Sequence, residues 1–389
     1  MAIAMTLNFT FETTPRVIQQ VGGATGLPAL AAELGAKKPM IVTDAGLVKS
    51  GVLAPVLEAF AAAGLAVELF TDVVADPPEE VVLATAEAAR KAGADLIIGI
   101  GGGSSMDTAK LVALLLGAPQ ALPDIYGIGL ARGPRLPLIQ VPTTAGTGSE
   151  VTPISIVTTP THEKKGVVSP LLYPDIAVLD ASLTVGLPAP VTAATGIDAM
   201  VHAIEAFTSK HKKNAVSDAL ALKALQLLAA NMDRVIADGR DIEARSAMLQ
   251  GSLLAGMAFA NAPVAAVHAL AYPLGGHFHV PHGLSNALVL VPVLRFNKPA
   301  AAALYAELAG AVMPGRIFAD TDAAAEAFID FMDEMVARMP FARRISQVGV
   351  VEADLPRLAT DAMKVERLLV NNPRAVTYDD AFAIYRSVL

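Results

Sequence analysis

Short apolar segments alternate with helical patterns over the first half of the chain, and this alternation stops at about Pro188. Strands that are apolar on both faces and alternate with helices predict a parallel sheet covered by helices on both sides. Ligands of such sheets bind beyond the carboxyl ends of the strands. The strands are predicted at 39–44, 65–70, 95–100 and 136–141, and the helices at 45–63, 78–92 and 104–116.

The second half of the chain carries only helical spacing, so it is predicted to be all-α. A length of 389 residues is comfortable for two domains. We therefore expect an α/β nucleotide-binding domain over residues 1–188 and a helical domain over residues 189–389, with a catalytic cleft between them. The helices of the second half are predicted at 189–208, 214–238, 243–260, 300–313, 323–339 and 354–363.

Composition and charge exclude several classes of function. The net charge is −8 and no basic run stands out, which argues against binding to nucleic acid. The absence of cysteine excludes disulfides and thiolate metal sites, and it fits a reducing cytosol. The start of the chain lacks the pattern of a signal peptide, so we expect a cytoplasmic protein.

One segment, 253–276, is long enough and uncharged enough to cross a bilayer. Asn261, Pro263, His268 and Pro273 interrupt it with polar groups and helix breakers. A buried helix pair is the better interpretation, and no membrane association is expected.

A first glycine-rich loop, GIGGGSSMD at 99–107, follows a predicted strand and opens a predicted helix. Glycines let the backbone approach a pyrophosphate, and the helix N-terminus offers free N–H groups to it. Ser104 stands where the dinucleotide motif has its third glycine, so the motif is incomplete. A tight strand–helix turn without a ligand is the alternative.

A second loop, PTTAGTGSE at 142–150, also follows a buried strand. Its small hydroxyl residues and glycines supply hydrogen-bond donors without bulk, as a phosphate or ribose requires. Taken alone it could equally be an ordinary loop with a helix cap. Two such loops after two strands of one sheet predict a nucleotide site.

Asp44 ends the first clear strand. A carboxylate in this place can accept hydrogen bonds from the hydroxyls of an adenine ribose and would repel a 2′-phosphate, which favours NAD over NADP. The alternative is that Asp44 caps the helix that follows.

Asp198 and His202 lie four residues apart in a predicted helix, which places both on one face within reach of one ion. His268 and His282 follow in a segment that holds four of the seven histidines of the chain. One carboxylate and three imidazoles make a suitable shell for Fe²⁺ or Zn²⁺ with room for a substrate.

These motifs together resemble the iron-containing (group III) alcohol dehydrogenases. The resemblance covers essentially the whole chain, through IVTDAGLVKSG, GGGSSMDTAK, PTTAGTGSEVT, ATGIDAMVHAIEAF, HALAYPLGG and PHGLSNALVL. It implies a Rossmann-like α/β domain followed by an all-α domain, as in dehydroquinate synthase-like folds. It also implies bound NAD and Fe²⁺, with Zn²⁺ as an alternative metal, and a homodimer or larger homo-oligomer.

The resemblance carries site residues onto matching positions of this chain. The metal positions are Asp198, His202, His268 and His282. The cofactor positions are Asp44, Gly101, Gly102, Gly103, Ser104, Asp107, Thr143, Thr144, Thr147, Ser149 and Lys164, with Lys165 as the alternative to the last.

The chain departs from the resembling family at Tyr272, where many relatives carry a histidine that is proposed to relay protons. A phenol at this position, or the nearby His277, is the candidate for that catalytic role, and His279 also lies close in sequence.

The predicted function is metal-dependent hydride transfer between NAD and a small primary alcohol or diol, or the matching aldehyde. Two alternatives stay open. A hydroxyacid–oxoacid transhydrogenase of the same family would keep NAD bound. A dehydroquinate synthase-like cyclase would need several Lys, Arg and Asn side chains for phosphate and carboxylate, whereas 253–276 is nearly all apolar.

Overall fold

The computed structural model describes residues 8–161 and 163–389. The first seven residues, on which the signal-peptide prediction partly depends, and His162 lie outside the described residues. The chain divides into two compact units. We call them the α/β unit, Glu12–Leu187 with Gly239–Gln250, and the helical unit, which comprises 8–11, Pro188–Asp238 and Gly251–Leu389.

The α/β unit contains a six-stranded parallel sheet and a small three-stranded sheet. The large sheet has the strand order β1-β9-β6-β4-β2-β3, and the small one has the order β5-β8-β7. Within the described residues the strands are β1 (Arg16–Gln19), β2 (Pro39–Val42), β3 (Glu68–Phe70), β4 (Leu96–Gly101), β5 (Gly127–Ile128), β6 (Leu138–Pro142), β7 (Ile154–Thr158), β8 (Lys164–Val168) and β9 (Ile176–Leu179).

Both faces of the large sheet are buried, as the apolar strands predict. Val42 and Ile97 belong to a core cluster with residues of the 79–92 and 103–117 helices, whereas Ile41 and Ile98 belong to a second cluster on the other face. The helices of this unit are α1 (Leu27–Glu33), α2 (Ala45–Lys49), α3 (Ala54–Ala62), α4 (Glu79–Ala92), α5 (Gly103–Gly117) and α6 (Leu122–Ile125).

The rest of the chain is helical, which confirms the predicted fold class. Several of its helices begin at capping residues; one begins after Asn214, whose side chain accepts a hydrogen bond from the N–H of Ser217. The helices are α7 (Ala189–Thr208), α8 (Ala215–Ala237), α9 (Ile242–Asn261), α10 (Ala266–Phe278), α11 (His282–Val312), α12 (Thr321–Arg338), α13 (Leu355–Met363), α14 (Glu366–Leu369) and α15 (Tyr378–Ser387).

Two helices differ from the prediction. The segment 45–63 forms α2 and α3 rather than one helix, because Gly51 adopts a φ of 77°, which ends the first. Helix α11 begins at His282 instead of residue 300, and it continues through Pro292 and Pro299. Proline weakens an isolated helix, so packing against α7 and α12 offsets that cost here.

The apolar segment 253–276 forms the predicted helix pair. Helices α9 and α10 are bent by 105° relative to each other at a short break. Helix α11 is the one described helix that is long and apolar enough to span a bilayer by itself, and 56% of that apolar window is buried inside the protein.

Candidate active site

Three helices of the helical unit bring the four predicted metal ligands together. Asp198 and His202 come from α7, His268 from α10 and His282 from the first residue of α11. One nitrogen or oxygen atom of each residue lies within 4.8 Å of those of the other three. Asp198, His202 and His268 are buried, whereas His282 is partly exposed, so the cluster has one accessible side.

The distances between these atoms fit one divalent cation. The Nε2 atoms of His202 and His268 are 3.0 Å apart, and Asp198 Oδ1 lies 3.8 Å from His268 Nε2 and 3.6 Å from His282 Nε2. Ligands that surround one cation tetrahedrally with bonds of about 2.1 Å lie about 3.4 Å from one another. The carboxylate and imidazole donors also suit Fe²⁺ and Zn²⁺.

Glu205 fixes the orientation of His268. Its carboxylate lies 2.7 Å from His268 Nδ1 and accepts hydrogen bonds from the backbone N–H groups of Ala265 and Val267. A proton on Nδ1 leaves the lone pair of Nε2 free for a metal. Glu205 is not among the residues predicted from the sequence, although it lies seven residues after Asp198 and three after His202, on the same face of α7.

Asn286 is a second neighbour that sequence reasoning missed. Its Nδ2 donates to Asp198 Oδ1 at 2.6 Å and lies 3.3 Å from the Nε2 atoms of both His268 and His282. The lone pairs of this oxygen atom and these two nitrogen atoms converge on the amide NH₂ group, which carries a partial positive charge, as they would converge on a cation. Its buried Oδ1 has no hydrogen-bond partner among the described residues.

The surroundings of the cluster lower the pKa values of Asp198 and His268. Burial alone would raise the pKa of Asp198, but the three imidazoles and the amide of Asn286 outweigh it and hold the pKa below its usual value. Burial and the neighbouring imidazoles hold the pKa of His268 well below its usual value. Asp198 is therefore charged and His268 neutral, the forms that bind metal.

Close packing sets the positions of the ligands. The ring of Phe259 stacks on His202 with centroids 4.2 Å apart. Gly283, next to His282, brings α11 against α7, because a Cβ there would fall on the carbonyl oxygen of Ala194.

The two candidates for proton transfer lie in different surroundings. The ring of Tyr272 is 6.1 Å from that of His282, and its hydroxyl accepts a 3.4 Å contact from Arg367. His277 Nε2 lies instead 2.6 Å from Asp361. His279 takes a φ of 53° at the end of α10. Tyr272 is thus a neighbour of the cluster, whereas His277 is paired with a carboxylate.

The two predicted cofactor loops of the α/β unit pack directly against each other. They follow β4 and β6, which are neighbouring parallel strands. A Cβ on Gly103 would lie 2.8 Å from Thr147 Cγ2, and one on Gly102 would lie 3.6 Å from Thr144 Oγ1. The glycines therefore permit this close approach, and we call residues 101–104 and 143–149 the loop cradle.

The N-terminus of α5 opens into the loop cradle. Its first turn begins at Gly103 after an extended Gly102, and no side chain of a described residue caps it. Uncapped N–H groups and the positive end of the helix dipole suit a pyrophosphate. Ser104 is partly exposed in this turn, and Thr143 is buried with its N–H bonded to the Gly101 carbonyl.

Asp107 and Ser149 bind each other. Ser149 Oγ donates to Asp107 Oδ1 at 2.6 Å, and the N–H of Ile156 donates to Asp107 Oδ2 at 2.9 Å. These contacts fasten α5 to the chain that follows the second loop.

The fully buried Lys110 adds a second attachment of α5 to the same segment. Its ammonium group donates to the carbonyls of Thr152 and Ile154. Burial lowers the pKa of Lys110 to about 8, against the charges of Asp107 and Glu150.

The remaining predicted cofactor residues have partners of their own. Asp44 caps α2, since its Oδ1 accepts from the N–H of Leu47 at 3.0 Å. Lys164 lies on β8 and pairs with Asp76 at 2.6 Å, whereas Lys165 pairs with a neighbouring glutamate at 3.0 Å. The helix-cap interpretation of Asp44 therefore holds, and among the described residues no donor binds its other carboxylate oxygen.

Comparison with known proteins finds matches to most of the chain. A family model described as iron-containing alcohol dehydrogenase matches residues 14–181, and one described as the C-terminal part of that family matches residues 192–389. The chain is 39% identical over 357 residues to long-chain-alcohol dehydrogenase 1 of Geobacillus thermodenitrificans, covering 91% of this chain and 90% of that protein.

Two solved structures are similar over nearly the full length. A 1,3-propanediol oxidoreductase has a TM-score of 0.94 and 33% identity, covering 98% of this chain and 100% of the other. A sulfoacetaldehyde reductase from Bifidobacterium kashiwanohense in complex with NAD⁺ has a TM-score of 0.87 and 30% identity, covering 98% and 99%.

Substitution of Glu205 by Ala is expected to weaken iron binding roughly 10- to 100-fold, because His268 loses the carboxylate that orients it. Anaerobic competition with a chromogenic chelator measures the affinity. Glu334→Ala, a helix-surface change on α12, is the control. Equal affinity in the two variants would show that Glu205 does not orient the ligand.

Substitution of Gly103 by Ala is expected to raise the Kd for NAD about tenfold, since the new methyl group separates the two loops of the cradle. Gly186→Ala is the matched control in the same unit, because a Cβ there meets nothing within 4 Å. Isothermal titration calorimetry gives both constants. An unchanged Kd for Gly103→Ala would place the cofactor elsewhere.

Proposed function

The chain belongs to the iron-containing alcohol dehydrogenase family, and we propose that it transfers a hydride between NAD and a small primary alcohol or diol, or in reverse from NADH to the matching aldehyde. NAD and iron are the cofactors of this family. The observation that carries the proposal is the quartet of Asp198, His202, His268 and His282, with three of its members buried, in a chain that also forms the loop cradle.

The four ligands hold Fe²⁺, and Zn²⁺ suits the same donors. When bound, the metal supplies Lewis-acid polarisation of the substrate oxygen, and the nicotinamide supplies the hydride acceptor. Glu205 keeps His268 in the tautomer that presents Nε2, and Phe259 shields one face of His202 from water. Partial exposure of His282 leaves the side from which a substrate can approach.

The loop cradle binds the pyrophosphate of NAD. The uncapped first turn of α5 supplies N–H donors, and Ser104, Thr144 and Thr147 supply hydroxyls from both loops. Asp107 and Ser149 support the loops through their mutual hydrogen bond.

The two ribose groups of NAD meet charged side chains. The free oxygen of Asp44 accepts from the hydroxyls of the adenine ribose and repels a 2′-phosphate. Lys164 contacts the nicotinamide ribose after exchanging its bond to Asp76.

Tyr272 is the group that moves the proton. Its Oη accepts the proton that the alcohol releases while it donates its own to water, which a phenol can do without a change of charge. His277 is a poorer candidate, because Asp361 holds its imidazole. Burial alone would raise the pKa of Asp361, but hydrogen bonds from Lys364 and His277 outweigh it and lower the pKa, so that carboxylate stays charged.

The substrate class follows from the chemistry of the quartet and from the relatives. The similar proteins are named for a long-chain alcohol, for 1,3-propanediol and for sulfoacetaldehyde. Small primary alcohols and diols are the class that we propose here. The enzyme works in the cytoplasm as a homodimer or larger homo-oligomer, and β1, which is an edge strand of the large sheet within the described residues, offers a pairing surface for a second copy.

NADH formation from a panel of primary alcohols and diols tests the function. Chelated protein is expected to be inactive, and Fe²⁺ added without oxygen is expected to restore the rate. A parallel sample is reloaded with Zn²⁺. Aldehydes with NADH test the reverse direction. The transhydrogenase would be established instead if neither alcohols with NAD nor aldehydes with NADH react, while a hydroxyacid and an oxoacid exchange hydride without free NAD.

Substitution of Tyr272 by Phe is expected to lower kcat for alcohol oxidation by about 10²-fold, because the proton loses its acceptor. Rescue by Tyr272→His and a shifted pH profile of kcat would separate proton transfer from packing. His277→Ala is the matched variant and is expected to leave the pH profile in place. An unchanged kcat in Tyr272→Phe, together with a shifted pH profile in His277→Ala, would assign the proton transfer to His277.

A further inference from the structure

Arg367 lies beside Tyr272 at the edge of the metal quartet. It belongs to α14, and its Nη2 is 3.4 Å from Tyr272 Oη. Its guanidinium carbon lies 6.0 Å from the centroid of the Tyr272 ring. Tyr272 follows His268 by one turn of α10, and its ring lies 6.1 Å from that of His282. The guanidinium is thus one aromatic ring away from the quartet.

No acidic side chain among residues 8–161 and 163–389 forms an ion pair with Arg367. Arg367 is an exposed residue, and its contact with the Tyr272 hydroxyl is long for a hydrogen bond. Asp361, on the preceding helix α13, is already bound by His277 and Lys364. Most of the donors of the Arg367 guanidinium are therefore available to another molecule.

Two other arginines of the helical unit, Arg338 and Arg357, differ from Arg367 in this respect. Arg338 forms an ion pair with Asp233 at 3.1 Å, and Arg357 forms one with Asp354 at 3.3 Å. The aspartates partly neutralise the charges of these two arginines. Arg367, which lies beside the quartet, has no such carboxylate partner among the described residues.

Arg367 places its positive charge close to the quartet. Its guanidinium contacts the Tyr272 hydroxyl, and the Tyr272 ring lies 6.1 Å from that of His282. A quartet with one carboxylate and three neutral imidazoles stays positive once it holds a divalent cation. A second positive group beside it, with no carboxylate bound to it, makes a site that attracts anions.

We propose that Arg367 binds an anionic group at the far end of the substrate, so that the preferred substrates are short alcohols or aldehydes that carry a carboxylate or sulfonate. This inference rests on the proposed function and narrows its substrate class. A guanidinium suits either acid, because its planar donors bind two oxygens at once. Tyr272 then lies between the acid group and the reacting end.

Three aldehydes of one shape and different charge test the proposal: sulfoacetaldehyde, 3,3-dimethylbutanal and betaine aldehyde. Each carries a tetrahedral head group one methylene away from the aldehyde, and the three head groups are anionic, neutral and cationic. The holoenzyme with Fe²⁺ and NADH is expected to show the highest kcat/KM for the anion and the lowest for the cation. The preference is expected to weaken as ionic strength rises.

Arg367→Gln is expected to reduce the ratio of kcat/KM between the anionic and neutral aldehydes about tenfold, since a hydrogen bond to a charged group is lost. Arg367→Lys is expected to retain part of the ratio, because it keeps the charge but not the paired donors. Arg338→Gln removes the same charge from an exposed pair with Asp233 and is expected to keep the full ratio.

Two results would overturn the inference. One is an unchanged ratio in Arg367→Gln while the neutral aldehyde is still reduced. The other is an equal loss for all three aldehydes with a raised KM for NADH, which would place Arg367 on the cofactor. If none of the aldehydes is reduced by the wild-type enzyme, the proposed function itself fails, and the two failures are thereby distinguished.

Discussion

The convergence of four ligand atoms inside a helix bundle is the constraint on which the helical unit depends. Lone pairs at 3.0–3.8 Å from one another repel unless a cation or a hydrogen-bond donor lies among them. Asn286 supplies such a donor, and Glu205 fixes the proton of His268 on the opposite nitrogen. The close contact of α11 with α7 at Gly283 brings His282 within reach of the other three ligands.

The α/β unit is subject to a different constraint: it must expose backbone N–H groups while two loops are held in fixed positions. Glycines give the loops their close contact, and Asp107 with Lys110 ties α5 to the segment after the second loop. Burying Lys110 without bonds to carbonyls would be costly, so its three oxygen contacts explain why the charge is tolerated. The rigid support lies beneath the loops, and the accessible side remains for the cofactor.

Much of this organisation could be predicted from the sequence, and the failures have physical causes. The apolar strands predicted the parallel sheet, and the spacing of Asp198 and His202 predicted a shared helix face. Strand β1 could not be predicted because polar Arg16 and Gln19 at its ends leave no apolar run, and Pro292 concealed the length of α11. The roles of Asn286 and Arg367 depend on contacts between helices that are distant in sequence, which local spacing does not contain.

The most direct measurement of the central claim is the iron K-edge X-ray absorption spectrum of chelated protein that has been reloaded with Fe²⁺ without oxygen. One equivalent of iron surrounded by imidazole nitrogens and a carboxylate oxygen is the predicted result, with loss of the imidazole scattering in His268→Ala. Iron that binds without imidazole scattering, or that binds equally after this substitution, would contradict the assignment of the quartet.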